Sequence, residues 1–210
     1  MKGPQLKRLV EQYLLPHLPG FAYARRVLYR RPVAPLLRGV CLASSGFTSE
    51  GFYMDVFVMP LHTEPQDCIV LSHGKRLDPE WIDVIPGDEA DGMAAALRVI
   101  LREALPYLDA RDSVSSFLAT ERRRIARCRN PLELLDFASS FVFVGDVPQA
   151  RSLLERMIRL VGEDADPRDH DCQSRERGKE LIGALDRDLC TARKVLEQWS
   201  QRTMSALKLE

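Results

Sequence analysis

The sequence predicts an α+β fold: an N-terminal helix, an antiparallel meander of four or five strands, then a helical C-terminal half. Three observations carry this. Before Gly87, apolar residues come in short runs rich in β-branched and aromatic side chains, broken by Gly, Pro and Ser. After Gly87 they recur at helical spacing almost to the C terminus. The strand-like runs follow one another with short connections, which favours antiparallel pairing.

Taken in order, residues 4–15 place Leu6, Leu9, Val10, Tyr13 and Leu14 on one helical stripe, ended by Pro16 and Pro19-Gly20. Residues 21–31 read as one strand or a pair broken near Ala24, and Pro32 and Pro35 mark the turn after it. Residues 37–43 form the next strand. Residues 52–61 are apolar on both faces except for Asp55, which predicts a central strand. Short strands follow at 68–71 and 81–85. The helix beyond Gly87 carries Met93, Leu97, Ile100, Ala104 and Leu108, with Asp88, Glu89 and Asp91 at its positive end. Ser113 or Ser115 caps the next helix. Asn130-Pro131 starts another, and Gly145 turns it into a return helix ending near Val161. A final helix reaches Leu207, broken at most once. The sequence divides at 1–128, a sheet domain with covering helices, and 129–210, a helical hairpin plus a long C-terminal helix.

Composition narrows the function. The chain has 210 residues, 45% hydrophobic and 29% charged, with a net charge of zero. Those are values of an ordinary globular protein, with no global pull toward nucleic acid or anionic lipid. The charge is uneven: residues 1–60 carry 8 Lys/Arg against 3 Asp/Glu, and residues 61–112 carry 5 against 11. Neither a signal-peptide core nor a run long enough to span a bilayer is found. Cys41, Cys68, Cys128, Cys172 and Cys190 are odd in number and widely spaced. Free buried thiols and a cytoplasmic location are expected.

The chemistry-bearing motifs are incomplete. There is no GxSxG, HExxH or glycine-rich dinucleotide fingerprint. Ser72-His73-Gly74-Lys75-Arg76 lacks the first Gly and the Ser/Thr of a phosphate loop and reads as a basic hairpin turn. His62, Cys68 and His73 match no standard zinc spacing, and His170-Asp171-Cys172 lies in a charged loop. No metal and no cofactor are predicted. An unrecognised hydrolase site, the alternative, would use His73, Glu80 and Asp83. Arg26, Arg30 and Arg38 form the densest basic group and are candidates for an acidic protein partner. A nucleic-acid partner for the basic strand 25–38 is a further alternative, disfavoured because the Gly-Phe-rich RNA-binding signature is missing.

Residues 131–162 resemble a single tetratricopeptide-like helical hairpin. Leu134, Phe137 and Phe141 take its large positions, Ala138 and Ala150 its small ones, and Gly145 its turn, followed by Leu154 and Met157. Leu134 stands where the repeat has Trp, Gly162 stands near its terminal Pro, and no second copy follows. An ordinary helical hairpin also needs small residues at its crossing and Gly at its turn; the resemblance implies instead a peptide-binding unit and makes Phe137 and Phe141 candidates for partner contact.

Residues 6–15, Gly20-Phe21, Leu28-Tyr29-Arg30, 37–42 and 52–61 together resemble a bacterial domain-of-unknown-function family of immunity-protein type. That resemblance implies binding to a toxin and supplies no catalytic residue. The expectation is a non-enzymatic, cytoplasmic protein-binding module of the adaptor or immunity kind, partnered by another protein and not by a membrane.

Overall fold

Around one strand, Gly51–Pro60, the sheet is built. The structure is a computed structural model that describes residues 1–44, 50–63, 68–79, 81–162 and 170–208. It divides into two compact units. One comprises Met1–Val33, Leu37–Met59 and Leu71–Arg111; the other comprises Ala34–Leu36, Pro60–Val70 and Asp112–Glu210. The helix at 114–127, grouped with the sheet by the sequence, thus falls in the second unit.

The strands are β1 (Phe21–Ala24), β2 (Val27–Arg30), β3 (Leu36–Ala43), β4 (Gly51–Pro60), β5 (His73–Arg76) and β6 (Ile82–Asp83), in the order β1-β2-β3-β4-β5 with β6 also on β4. As predicted, the sheet is antiparallel and β4 is central and largely buried. The 21–31 segment is the broken pair: Arg25 and Arg26 form its turn, at φ 49° and 67°.

One strand moves. Residues 68–71 form none, and Leu71 is exposed. The strand is His73–Arg76, read from sequence as a basic turn. Polar side chains hid it, but its contacts are those of a charged edge. Arg76 donates to Asp55 at 2.7 Å and lies 4.4 Å over the Tyr53 ring. Gly74 passes so close to β4 that a Cβ would stand 2.5 Å from the Val56 carbonyl oxygen. Beyond Arg76 the pairing slips by three residues: Arg76 faces Asp55, and Ile82 faces Phe52 instead of residue 49.

In the same unit, α1 (Gly3–Leu9) runs on through a wide turn, Val10–Leu14, and a tight turn, Leu15–His17. Likewise α2 (Glu89–Val99) continues through the wide turn Ile100–Ala104 into α3 (Leu105–Asp109). The wide turns share a cause. Leu15 N–H bonds the Val10 carbonyl and Leu105 N–H bonds the Ile100 carbonyl, each five residues back. Pro16 and Pro106 come next. A proline ring collides with the carbonyl four residues back and donates nothing to it, so the preceding turn opens. Helix α2 packs on the wide turn after α1 and on β6, and Tyr107 Oη donates to the His73 carbonyl at 3.2 Å.

The second unit holds α4 (Val114–Arg127), α5 (Pro131–Val144), α6 (Val147–Val161), α7 (His170–Arg187) and α8 (Leu189–Leu207). Their ends follow sequence chemistry. Ser113 and Ser116 form a reciprocal cap on α4. Asn130 accepts from Glu133 N–H with Pro131 at the first position of α5, and Gly145 ends that helix at φ 92°. Asp188 caps α8 and breaks the long C-terminal helix once. Helix α5 packs against α4, α6, α7 and α8. Its buried residues therefore run round the helix, from Leu134 to Ser140 and Val142.

Free thiols are found at all five cysteines, but only Cys128 and Cys172 are buried; Cys41 is half-buried, and Cys68 and Cys190 are exposed. Among the described residues no helix is long and apolar enough to cross a membrane.

Candidate functional site

The three arginines do not make one basic face. Arg26 is in a hairpin turn, half-buried, and donates to the Met1 carbonyl at 2.7 Å. Arg30 pairs with Asp109 and lies over the Phe21 ring. Arg38 is buried on β3. The positive φ at Arg26 interrupts the strand alternation that would have put it beside Arg30.

Phe137 also changes role. It is fully buried and stacks on Phe117 at 5.9 Å between ring centres. A partner cannot reach it, because α5 is enclosed by four helices. Phe141, one turn on, is half-buried and reaches the surface.

The hydrolase candidates separate. His73 faces Val58 and Asp83 faces Gly51 on the same strand. Those partners are about 23 Å apart along an extended chain, far beyond proton-transfer reach. Glu80 lies outside the described residues. Among those residues no three His, Cys, Asp or Glu side chains are grouped to hold a metal ion.

Two of the concave places among the described residues have an apolar lining, both within the helical unit. The first is a groove of 580 Å³ whose lining includes Leu118, Ala119, Ile125, Phe141 and Leu153, with Arg122 and Arg156 also lining it. Arg156 is structurally committed: its guanidinium donates to the carbonyls of Ile125 at 3.3 Å, Ala126 at 3.4 Å and Cys128, closing the C-terminal end of α4. Arg122, Arg123, Arg127 and Arg129 are exposed. Residues 114–161 hold eight arginines against five acids. Of the acids, Glu121 and Asp136 are buried, Glu133 pairs with Arg124 at 2.6 Å, Asp146 caps α6, and Glu155 is exposed. The groove therefore joins an apolar floor to a positive surround.

The second is a cleft of 720 Å³ between residues 34–35, His62, the end of α5 and one stripe of α8: Arg193, Leu196, Glu197, Ser200, Gln201 and Met204. His62 is 2% exposed and stacks on Phe143 at 4.9 Å. Its Nε2 lies 3.0 Å from Ser140 Oγ. Ser140 already donates its proton to the Asp136 carbonyl at 2.7 Å. With its own proton on that carbonyl, the hydroxyl accepts from Nε2 of the ring. Nδ1 is buried with no hydrogen-bond partner. Burial drives the imidazole down from 6.5 to about 4, against partial opposition from the Pro35 carbonyl, so the ring is neutral at pH 7.

This Ser–His pair is not a nucleophile and its base. Ser140 is fully buried on a helix, and the hydrogen bond runs from His62 to Ser140. A general base needs the opposite direction.

Sequence reasoning weighed His62 only as a zinc ligand and did not single out Phe143. A signal existed: Phe141 and Phe143, two positions apart on a helix, face different ways, so one apolar stripe cannot bury both. Comparison with family models, curated proteins and solved structures finds no match to this chain.

Proposed function

We propose that this protein is a non-enzymatic protein-binding module of the adaptor or immunity kind. On this reading the groove between α4, α5 and α6 receives an acidic, partly apolar segment of another protein. The observation that supports it is the pairing of an apolar floor, with exposed Ala119 and half-buried Phe141, with the arginines around it. Opposite charge on the partner would speed and orient docking, while the floor supplies burial. The resemblance of the first sixty residues to immunity-type domains supports the same class, and five free thiols suit a reducing cytoplasm.

The test is a pull-down from the native host with the intact protein, at low and high salt, alongside Ala119→Glu and Arg122→Glu. Both changed residues are exposed, so the fold tolerates them. One specific protein should be recovered by the unchanged chain at low salt, less at high salt, and not by either variant. Recovery of no specific protein, or undiminished recovery by both variants, sinks the reading.

A further inference from the structure

The groove between α4, α5 and α6 has a complement on this same chain. Residues 77–97 hold six acids and no lysine or arginine. Within them Ile85-Pro86-Gly87-Asp88 forms a tight turn: Asp88 N–H donates to the Ile85 carbonyl at 3.0 Å, and Gly87 stands at φ 90°. Pro followed by Gly at the centre is the type II pattern, and the proline ring stiffens it. Ile85 is 59% exposed, the most of the exposed large apolar side chains described. Asp83, Asp88 and Asp91 flank it, exposed and without an ion pair among the described residues. The groove carries the opposite charge. Residues 122–129 hold five arginines and no acid. Arg124 pairs with Glu133, whereas exposed Arg122, Arg123, Arg127 and Arg129 form no ion pair among the described residues. Arg122 lines the groove, and Arg123 lies one turn from Ala119 and Ala126, which also line it.

We propose that, in the absence of another partner, the groove of one molecule receives the Ile85 turn of a second copy of this chain, a proposal that rests on the groove as read above. Ile85 meets the apolar floor at Ala119 and Phe141, and the acids that flank it meet Arg122 and Arg123. Ile85 is exposed in the single chain, so the contact forms between molecules. The stiff turn has little freedom to lose on docking. Turn and groove are different surfaces, which makes the contact heterologous: association runs on beyond two molecules unless a ring closes. A single apolar anchor keeps it weak, and salt weakens it further by screening the charges. Self-association occupies the same groove that the partner protein needs, so the two compete.

The test is sedimentation velocity on the full chain between about 10 μM and 1 mM, where weak contacts of this kind become populated. The average mass of the unchanged chain should rise with concentration to a dimer or beyond, and fall back at high salt. Ile85→Lys removes the anchor of the turn and keeps the groove; Arg122→Glu spoils the groove and keeps the turn. Each alone should stay monomeric. Mixed in equal amounts they restore one intact turn and one intact groove, and should form a one-to-one complex that grows no further. Both positions are exposed, and melting curves verify that each variant is folded. The proposal is overturned if the unchanged chain stays monomeric over this range, if either variant alone associates as the unchanged chain does, or if the mixture stays monomeric. A monomeric chain that still recovers its partner in the pull-down strikes this proposal alone. An associating chain that recovers none strikes the partner reading alone.

Discussion

His62 donates to Ser140 across 3.0 Å, and Ser140 passes its own proton to the backbone of Asp136. Three groups thereby form one buried hydrogen-bonded chain. Burial of that chain makes protonation of His62 a stability question.

Acid should destabilise the helical unit through His62. The ordinary value is 6.5 and the folded value about 4. Between them the unfolded chain binds the extra proton, so stability rises with pH through that window and is lost as pH falls from about 6.5 towards 4. Above pH 7 this contribution is constant. The full swing is of order 3 kcal/mol. His62→Gln, whose amide can still donate to Ser140, should remove the part of the slope that belongs to His62. Urea titrations at pH 7, 6, 5 and 4.5 measure it; equal slopes in both proteins refute the assignment.

Two glycines inside helices should respond with opposite signs to alanine. Gly183 in α7 has open space where a Cβ would go. Gly183→Ala should stabilise by about 0.5–1 kcal/mol, the ordinary helical gain. At Gly92 in α2 a Cβ would lie 2.2 Å from the Asp83 carbonyl oxygen, which is backbone and cannot turn aside. Gly92→Ala should destabilise despite better helix propensity. Denaturation midpoints decide both.

Phe137→Ala should cost about 3–5 kcal/mol, because it empties a fully buried ring site against Phe117. Phe141→Ala should cost clearly less, since that ring is only half-buried. Equal losses would mean that the two rings share one core environment. A smaller loss at Phe137 would refute the placement of α5 at the centre of its unit.

Replacing Arg156 by Met keeps the apolar stem and removes the donors to the end of α4. Three carbonyls lose a charged partner. A loss of about 1–3 kcal/mol is expected, with faster amide exchange in the last turn of α4 than elsewhere in the unit. Uniform exchange along α4 would show that the carbonyls are satisfied by water instead.

Local chemistry made much of the fold readable. Asn130-Pro131 and Gly145 bracket α5 because capping and left-handed turns depend on residues only a few positions apart. Apolar residues on both faces made β4 readable as a central strand, since a strand flanked on both edges and buried on both faces needs little else. The change of period near Gly87 marks the passage from strands to helices, although the compact units divide later, after Arg111, and share short segments of the earlier chain.

What the sequence by itself determined, then, is which segments are helical or extended and where most of them stop. The tertiary structure alone decided which faces are free. His73–Arg76 became a strand because β4 offered it an edge, against its own charged composition. Phe137 was buried because four helices surround α5, while Phe141 and Phe143 emerged on different sides. The cleft at His62 draws on residues 34–35, 62, 143 and α8, far apart in the chain. Burial and hydrogen-bond direction depend on neighbours brought in by packing, and no local pattern around His62 records them.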